Sequence, residues 1–126
     1  MERTGVAVAS PLEKIGAELR RGVIQVAALS LLRDKLYGYQ LVKVLRSYSL
    51  ETEEGTLYPL LRRLETQGLL RSEWDTAGAR PRKYYTLSDE GRALLPQLTK
   101  LWAEIADAVS QVLNPAAPVA VSEDEA

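Results

Sequence analysis

The sequence predicts a mainly α chain with one small β-hairpin. Three observations carry that expectation. Apolar residues recur at helical spacing through most of residues 11–66 and again through 88–113. Between them, residues 69–87 read as two strands around a turn containing Gly78 and Pro81. The helical runs ahead of the hairpin are short and closely connected, which is the helix-turn-helix arrangement. With the hairpin added, the expected fold is a winged helix-turn-helix plus a C-terminal dimerisation helix.

The chain has 126 residues, enough for one domain with a modest core. Its hydrophobic content is 46% and its charged content 26%, ordinary values for a globular protein. No apolar run approaches the length of a membrane span, and no signal-peptide region opens the chain. A cytoplasmic protein with no membrane partner is therefore expected. There is no cysteine and no histidine, which removes thiolate metal sites, the commonest metal ligand and the commonest general base. No catalytic residue, metal or cofactor is expected.

In chain order, residues 1–10 carry no period and are expected to be flexible. A helix begins at Pro11, with Ser10 as its cap, Glu13 nearby and Leu12, Ile15 and Leu19 on one side. Val23, Ile24, Val26, Ala27, Leu29, Leu31 and Leu32 continue it, or begin a second helix after a break near Gly22. This series is apolar on most sides and is expected to be buried. Arg33 to Leu36 reads as a turn. The next helix opens at Tyr37-Gly38-Tyr39-Gln40, with Leu41, Val44, Leu45 and Tyr48 facing inward. Thr52 is a candidate N-cap for the third helix, in which Leu57, Leu60, Leu61 and Leu64 form one apolar stripe. Thr56, Tyr58, Arg62 and Arg63 lie off that stripe. Pro59 removes one helical hydrogen bond, and Gly68 ends the helix.

Leu69 to Asp75 and Lys83 to Leu87 are the expected strands, joined by a turn whose second half is basic. Trp74 is expected to pack at the hairpin base. Ser88 caps the final helix, with Asp89 and Glu90 in its first turn. There Leu94, Leu98, Leu101, Ile105, Ala108 and Val112 follow alternating intervals of four and three, a heptad seam. Leu95, Trp102 and Val109 lie beside it. This stripe is too wide for the hairpin to cover, so it is expected to pack on the first helix and on a second copy. The expected organisation is a flexible N-terminus (1–10), a winged helix-turn-helix unit with its N-terminal helix (11–87), a dimerisation helix (88–113) and a disordered acidic tail (114–126).

The formal net charge is −1, which argues against binding nucleic acid by bulk charge. The charge is nevertheless segregated. Residues 55–85 hold six cations (Arg62, Arg63, Arg71, Arg80, Arg82, Lys83) against three carboxylates (Glu65, Glu73, Asp75), whereas Glu123, Asp124 and Glu125 crowd the end. Distribution, rather than the total, defines a basic footprint.

The motifs Leu36-Tyr37-Gly38-Tyr39, Gly55-Thr56-Leu57-Tyr58-Pro59-Leu60-Leu61-Arg62-Arg63-Leu64-Glu65, Gly68-Leu69 and Arg82-Lys83-Tyr84-Tyr85-Thr86-Leu87-Ser88-Asp89-Glu90-Gly91 occur in one order and spacing. In this the chain resembles the PadR family of bacterial transcriptional regulators, over roughly residues 18–113. The short final helix is similar to the branch with a single C-terminal dimerisation helix. Trp102 falls where multidrug-responsive members of that branch carry a tryptophan lining a pore between subunits.

The resemblance implies a homodimeric repressor that binds an inverted-repeat operator in double-stranded DNA, with half-sites about one helical turn apart. Tyr39, Thr56, Tyr58, Arg62 and Arg63 are then expected at phosphates or base edges, and Arg80, Arg82 and Lys83 at the backbone through the wing. For Tyr39, packing between helices is an equal alternative. Glu53 departs from the family, which often has a small polar residue there, and is not expected to touch DNA. Leu12, Ile15, Leu19, Leu94, Leu98, Leu101, Trp102, Ile105, Val109 and Val112 are the expected dimer interface. Trp102 is also a candidate for stacking a small apolar effector. The alternative is a winged-helix protein-interaction module that does not bind DNA.

Overall fold

The computed structural model describes residues 8–118 and 121–122. The expected flexibility of residues 1–7 and the acidic cluster Glu123, Asp124 and Glu125 lie outside the described residues.

Helix α1 spans Pro11–Leu31. Its start is a capping box: the Ser10 hydroxyl accepts from the Glu13 amide at 3.1 Å, and the Ser10 amide donates to Glu13 Oε1 at 2.8 Å. The helix runs unbroken through Gly22. Only its second half enters the core, where Ile24, Ala28 and Leu29 are buried, followed by Leu32 just beyond the helix. Val23, Val26, Ala27 and Leu31 stay half-buried, so the burial expected all round is met on one side.

Leu36–Tyr37 form a short strand, β1, where the end of a turn and the opening of the next helix were expected. Two residues show no alternation, so the pairing leaves no periodic signal. Helix α2, Gly38–Ser47, follows at once; the Tyr37 amide donates to Gln40 Oε1 at 3.0 Å. It buries Leu41, Val42 and Leu45, while Val44 is half-buried. Tyr48, expected inside, is exposed. It is the C-cap residue, and Ser49 turns the chain away with φ +64°.

Helix α3, Glu54–Thr66, buries Leu57, Leu60, Leu61 and Leu64, the predicted stripe. Its N-cap is Glu53 rather than Thr52. Thr52 is buried, and its hydroxyl makes no hydrogen bond among the described residues. Gly68 closes α3 with φ +83°, a left-handed conformation that strains any other residue.

Strands β2, Leu70–Asp75, and β3, Arg82–Leu87, form the hairpin. The antiparallel sheet runs in the order β1-β3-β2, with Leu36 opposite Tyr85, Trp74 opposite Lys83 and Asp75 opposite Arg82. Leu70, Tyr85 and Leu87 join the core from this sheet. Helix α4, Asp89–Leu113, begins with Ser88, whose hydroxyl accepts from the Gly91 amide at 3.0 Å and donates to the Gly68 carbonyl at 2.5 Å. One residue thus caps α4 and ties it to the end of α3. Leu95 is buried, Leu94 and Leu98 are half-buried, and the apolar residues beyond them on α4 are largely exposed. Helices α1 and α4 pack on one another. No helix among the described residues is long and apolar enough to cross a membrane.

Candidate nucleic-acid interface

Because Leu57, Leu60, Leu61 and Leu64 anchor α3 to the core, the opposite side of the helix faces solvent. Thr56, Pro59, Arg62 and Arg63 are exposed there. The hairpin extends past the core beside this helix. Between the two lies an open concavity of about 730 Å³. Tyr58 and Arg62 reach it from α3, Tyr39 from α2, and Trp74, Arg80, Arg82 and Lys83 from the wing. Six of the eight predicted DNA-contact residues therefore line one surface. Thr56 and Arg63 are exposed on α3 but do not line the concavity.

Tyr58 differs from its expectation, being half-buried rather than fully on the exposed side. Its ring sits on Gly38, where an added Cβ would fall 2.3 Å from Tyr58 Cε1. The glycine makes room for that ring at the start of α2. Burial, followed by the nearby Glu54 carboxylate and Tyr85, raises the Tyr58 hydroxyl above its ordinary pKa of 10.0. It stays a neutral donor under physiological conditions. Tyr39 takes the solvent side of its two alternatives: it is 51% exposed, with Lys43 Nζ 5.4 Å from its ring centroid.

Arg80 and Arg82 were expected in the turn and Lys83 in the strand after it, yet only Arg80 lies in the turn. Arg82 and Lys83 belong to β3, because the ladder extends to the Asp75–Arg82 pair. Both reach the concavity, but they meet different neighbours. The Arg82 guanidinium lies 4.7 Å from the centroid of Tyr37. Lys83 Nζ lies 3.7 Å from Glu65 and 5.4 Å from the Tyr85 centroid. Lys83 is partly neutralised by Glu65, so it contributes less free charge than the turn arginine. Asp75 shapes the turn by accepting from the Ala77 amide at 2.9 Å.

Trp74 was expected at the hairpin base and is instead 62% exposed. Period two places it on the same side of β2 as the buried Leu70, the side turned toward α3. The strand outruns the core, so that side is left open at Trp74. Alternation from Leu70 was the signal that could have found it. Glu54 also lines the concavity, a carboxylate among the cations that the sequence reading did not place there.

Of the expected dimer residues, Leu12, Ile15 and Leu19 are exposed along α1, and Leu101, Trp102, Ile105, Val109 and Val112 along α4. Leu94 and Leu98 are largely covered within the chain. Trp102, also the candidate effector contact, stands 41% exposed.

The chain is similar to known proteins across this whole arrangement. The profile of the "Transcriptional regulator PadR-like family" matches residues 28–97, from the end of α1 into α4. A crystal structure of a PadR family transcriptional regulator from Eggerthella lenta superposes with a TM-score of 0.76 at 46% identity, covering 82% of this chain and 93% of that one. A PadR family regulator from Clostridium difficile gives a TM-score of 0.66 at 32% identity, covering 74% of this chain and all of that one (100%). A transcriptional regulator of Mycobacterium tuberculosis is 33% identical over 90 residues, 71% of this chain and 84% of its own length. With the family profile spanning more than half of the sequence, the chain belongs to the PadR-like family of transcriptional regulators, which are DNA-binding proteins rather than enzymes.

Proposed function

We propose that the protein is a homodimeric repressor that occludes an inverted-repeat operator. The observation that carries the DNA face is the convergence of Arg62, Arg80, Arg82 and Lys83 on one concavity beside the exposed side of α3. In this reading α3 enters a major groove, with Thr56, Tyr58, Arg62 and Arg63 at base edges or phosphates. Arg80, Arg82 and Lys83 follow the adjacent backbone, where neutralising phosphates adds affinity without sequence preference. Tyr39 and Tyr58 donate hydroxyls to phosphates.

Dimerisation is supported by the exposed apolar stripes of α1 and α4. A patch of that kind marks an association surface. Leu12, Ile15 and Leu19 of one protomer cover Leu101, Trp102, Ile105, Val109 and Val112 of its partner, giving the two recognition helices a fixed separation. A small apolar effector stacked on Trp102 at that junction would relieve repression if it binds the DNA-incompetent spacing more tightly than the competent one.

The test is fluorescence anisotropy with a labelled duplex from the intergenic region upstream of the protein's own coding sequence, against a scrambled duplex and across a salt series. Preference for the native duplex, with affinity falling steeply as salt rises, supports the reading. Equal, weak binding to both, and to a pool of genomic fragments, would refute it. Replacing Arg62 and Arg63 together with Glu should abolish binding; an interaction module would keep its protein partner.

A further inference from the structure

We propose that Trp74 is a further DNA-contact residue, a platform on which the sugar edge of one backbone strand packs as it passes between α3 and the wing. This rests on the concavity being the DNA face. A large indole left 62% exposed on a strand needs an account, because covering it removes substantial apolar area from water. No described residue covers it fully, since β2 carries it beyond the core on the side turned toward α3. It shares the concavity with Arg62 of the recognition helix and Arg80 and Arg82 of the wing. A polyanion drawn to those guanidinium groups must run past the indole.

The neighbours of Trp74 fit this role. Lys83 is its direct partner across the ladder, with Nζ 6.0 Å from the Trp74 centroid. The same amine lies 5.4 Å from the Tyr85 centroid and 3.7 Å from Glu65. The indole is therefore flanked by a cation that is itself held by a buried tyrosine and a carboxylate. Ordering of this kind in the free protein reduces the entropy lost on binding. Deoxyribose presents apolar C–H groups between charged phosphates. An apolar ring beside Lys83, in a concavity shared with Arg62, Arg80 and Arg82, matches that alternation, whereas an apolar protein partner would leave the cations desolvated and unpaired. The apolar stripes available for self-association lie on α1 and α4, and none of their residues lines this concavity.

Sugar packing neutralises no phosphate and reads no base. Trp74→Ala should therefore weaken binding to native and scrambled duplexes alike, on the order of tenfold, and leave the salt slope unchanged. Trp74→Phe should restore most of the affinity. The chain has two tryptophans, so Trp74→Phe leaves Trp102 as the sole indole fluorophore.

The experiment titrates the full chain with the labelled upstream duplex and follows DNA anisotropy and tryptophan emission in the same cuvette. Circular dichroism checks the fold of both variants. The proposal expects an emission change that tracks binding in the unsubstituted protein and loses most of its amplitude in Trp74→Phe, where only Trp102 remains, while the anisotropy change stays. It is overturned if the emission change keeps its full amplitude in Trp74→Phe, or if Trp74→Ala binds as tightly as the unsubstituted protein. Either result leaves the DNA-binding reading standing, whereas failure of the unsubstituted protein to bind any duplex overturns both.

Discussion

Replacing Gly91 with Ala should destabilise the fold although it adds a better helix former to a helix. Gly91 sits in the first turn of α4, and an added Cβ would lie 2.2 Å from the Leu69 carbonyl oxygen and 2.9 Å from Leu87 Cδ2. Ordinary contact begins at 3.4 Å, so the carbonyl side must yield by more than 1 Å. That carbonyl cannot move by a rotamer change. It accepts the Ser88 amide at 3.0 Å, and the adjacent Gly68 carbonyl accepts the Ser88 hydroxyl at 2.5 Å. Overpacking costs about 1–3 kcal/mol, a weakened buried hydrogen bond about 1 kcal/mol more, and the helix-propensity gain offsets about 1 kcal/mol. The expected net loss is about 1–3 kcal/mol, or on the order of 10 °C in Tm for a chain of this size. Gly22→Ala is the control, because nothing lies within 4 Å of its added Cβ in the middle of α1. It should gain up to ~1 kcal/mol. Thermal unfolding followed by circular dichroism, at one fixed protomer concentration, compares the three proteins. A Gly91→Ala protein as stable as the unsubstituted one, or the two variants shifting in the same direction, would refute the steric argument.

Three further outcomes are expected. Leu101 and Ile105 are 49% and 47% exposed, so a partner that covers them gains about 1 kcal/mol from each. Four such side chains in a dimer amount to ~4 kcal/mol, so replacing both residues with Asp should raise the dimer Kd by at least about 10³ in analytical ultracentrifugation, with helicity retained. Arg62→Ala and Arg80→Ala should each lower the slope of log affinity against log salt by about one if each meets a phosphate, whereas Arg33→Ala, outside the concavity, should leave the slope unchanged. The Ser10 amide, and then its hydroxyl, lowers the Glu13 pKa below 4.5. A depressed carboxylate stabilises the fold above its unfolded pKa, and that contribution fades as pH falls through the folded value. Amide resonances of the first turn of α1 should therefore titrate below pH 4.5, and this response should be absent in Glu13→Gln.

The sequence by itself determined the helices, their order and the core stripe of α3. Each of those rests on local physics: a 3.6-residue period, Ser10 and Ser88 as caps, and Gly68 as a stop. The hairpin and its cations were legible for the same reason. Tertiary structure decided what local pattern cannot encode. The two residues of β1 became a strand only because Tyr84 and Tyr85 of β3 lie opposite them. Tyr58 moved partly inside because Gly38, twenty residues earlier, leaves space for its ring. Arg82 and Lys83 were separated from Arg80 by how far the ladder zips, and Lys83 was drawn to Glu65 of α3. Trp74 ended in the open because β2 outruns the helices it packs on, a matter of relative length between elements distant in sequence. Period and capping act over a few residues and can be read along the chain, whereas pairing, burial and exposure depend on which distant surfaces meet.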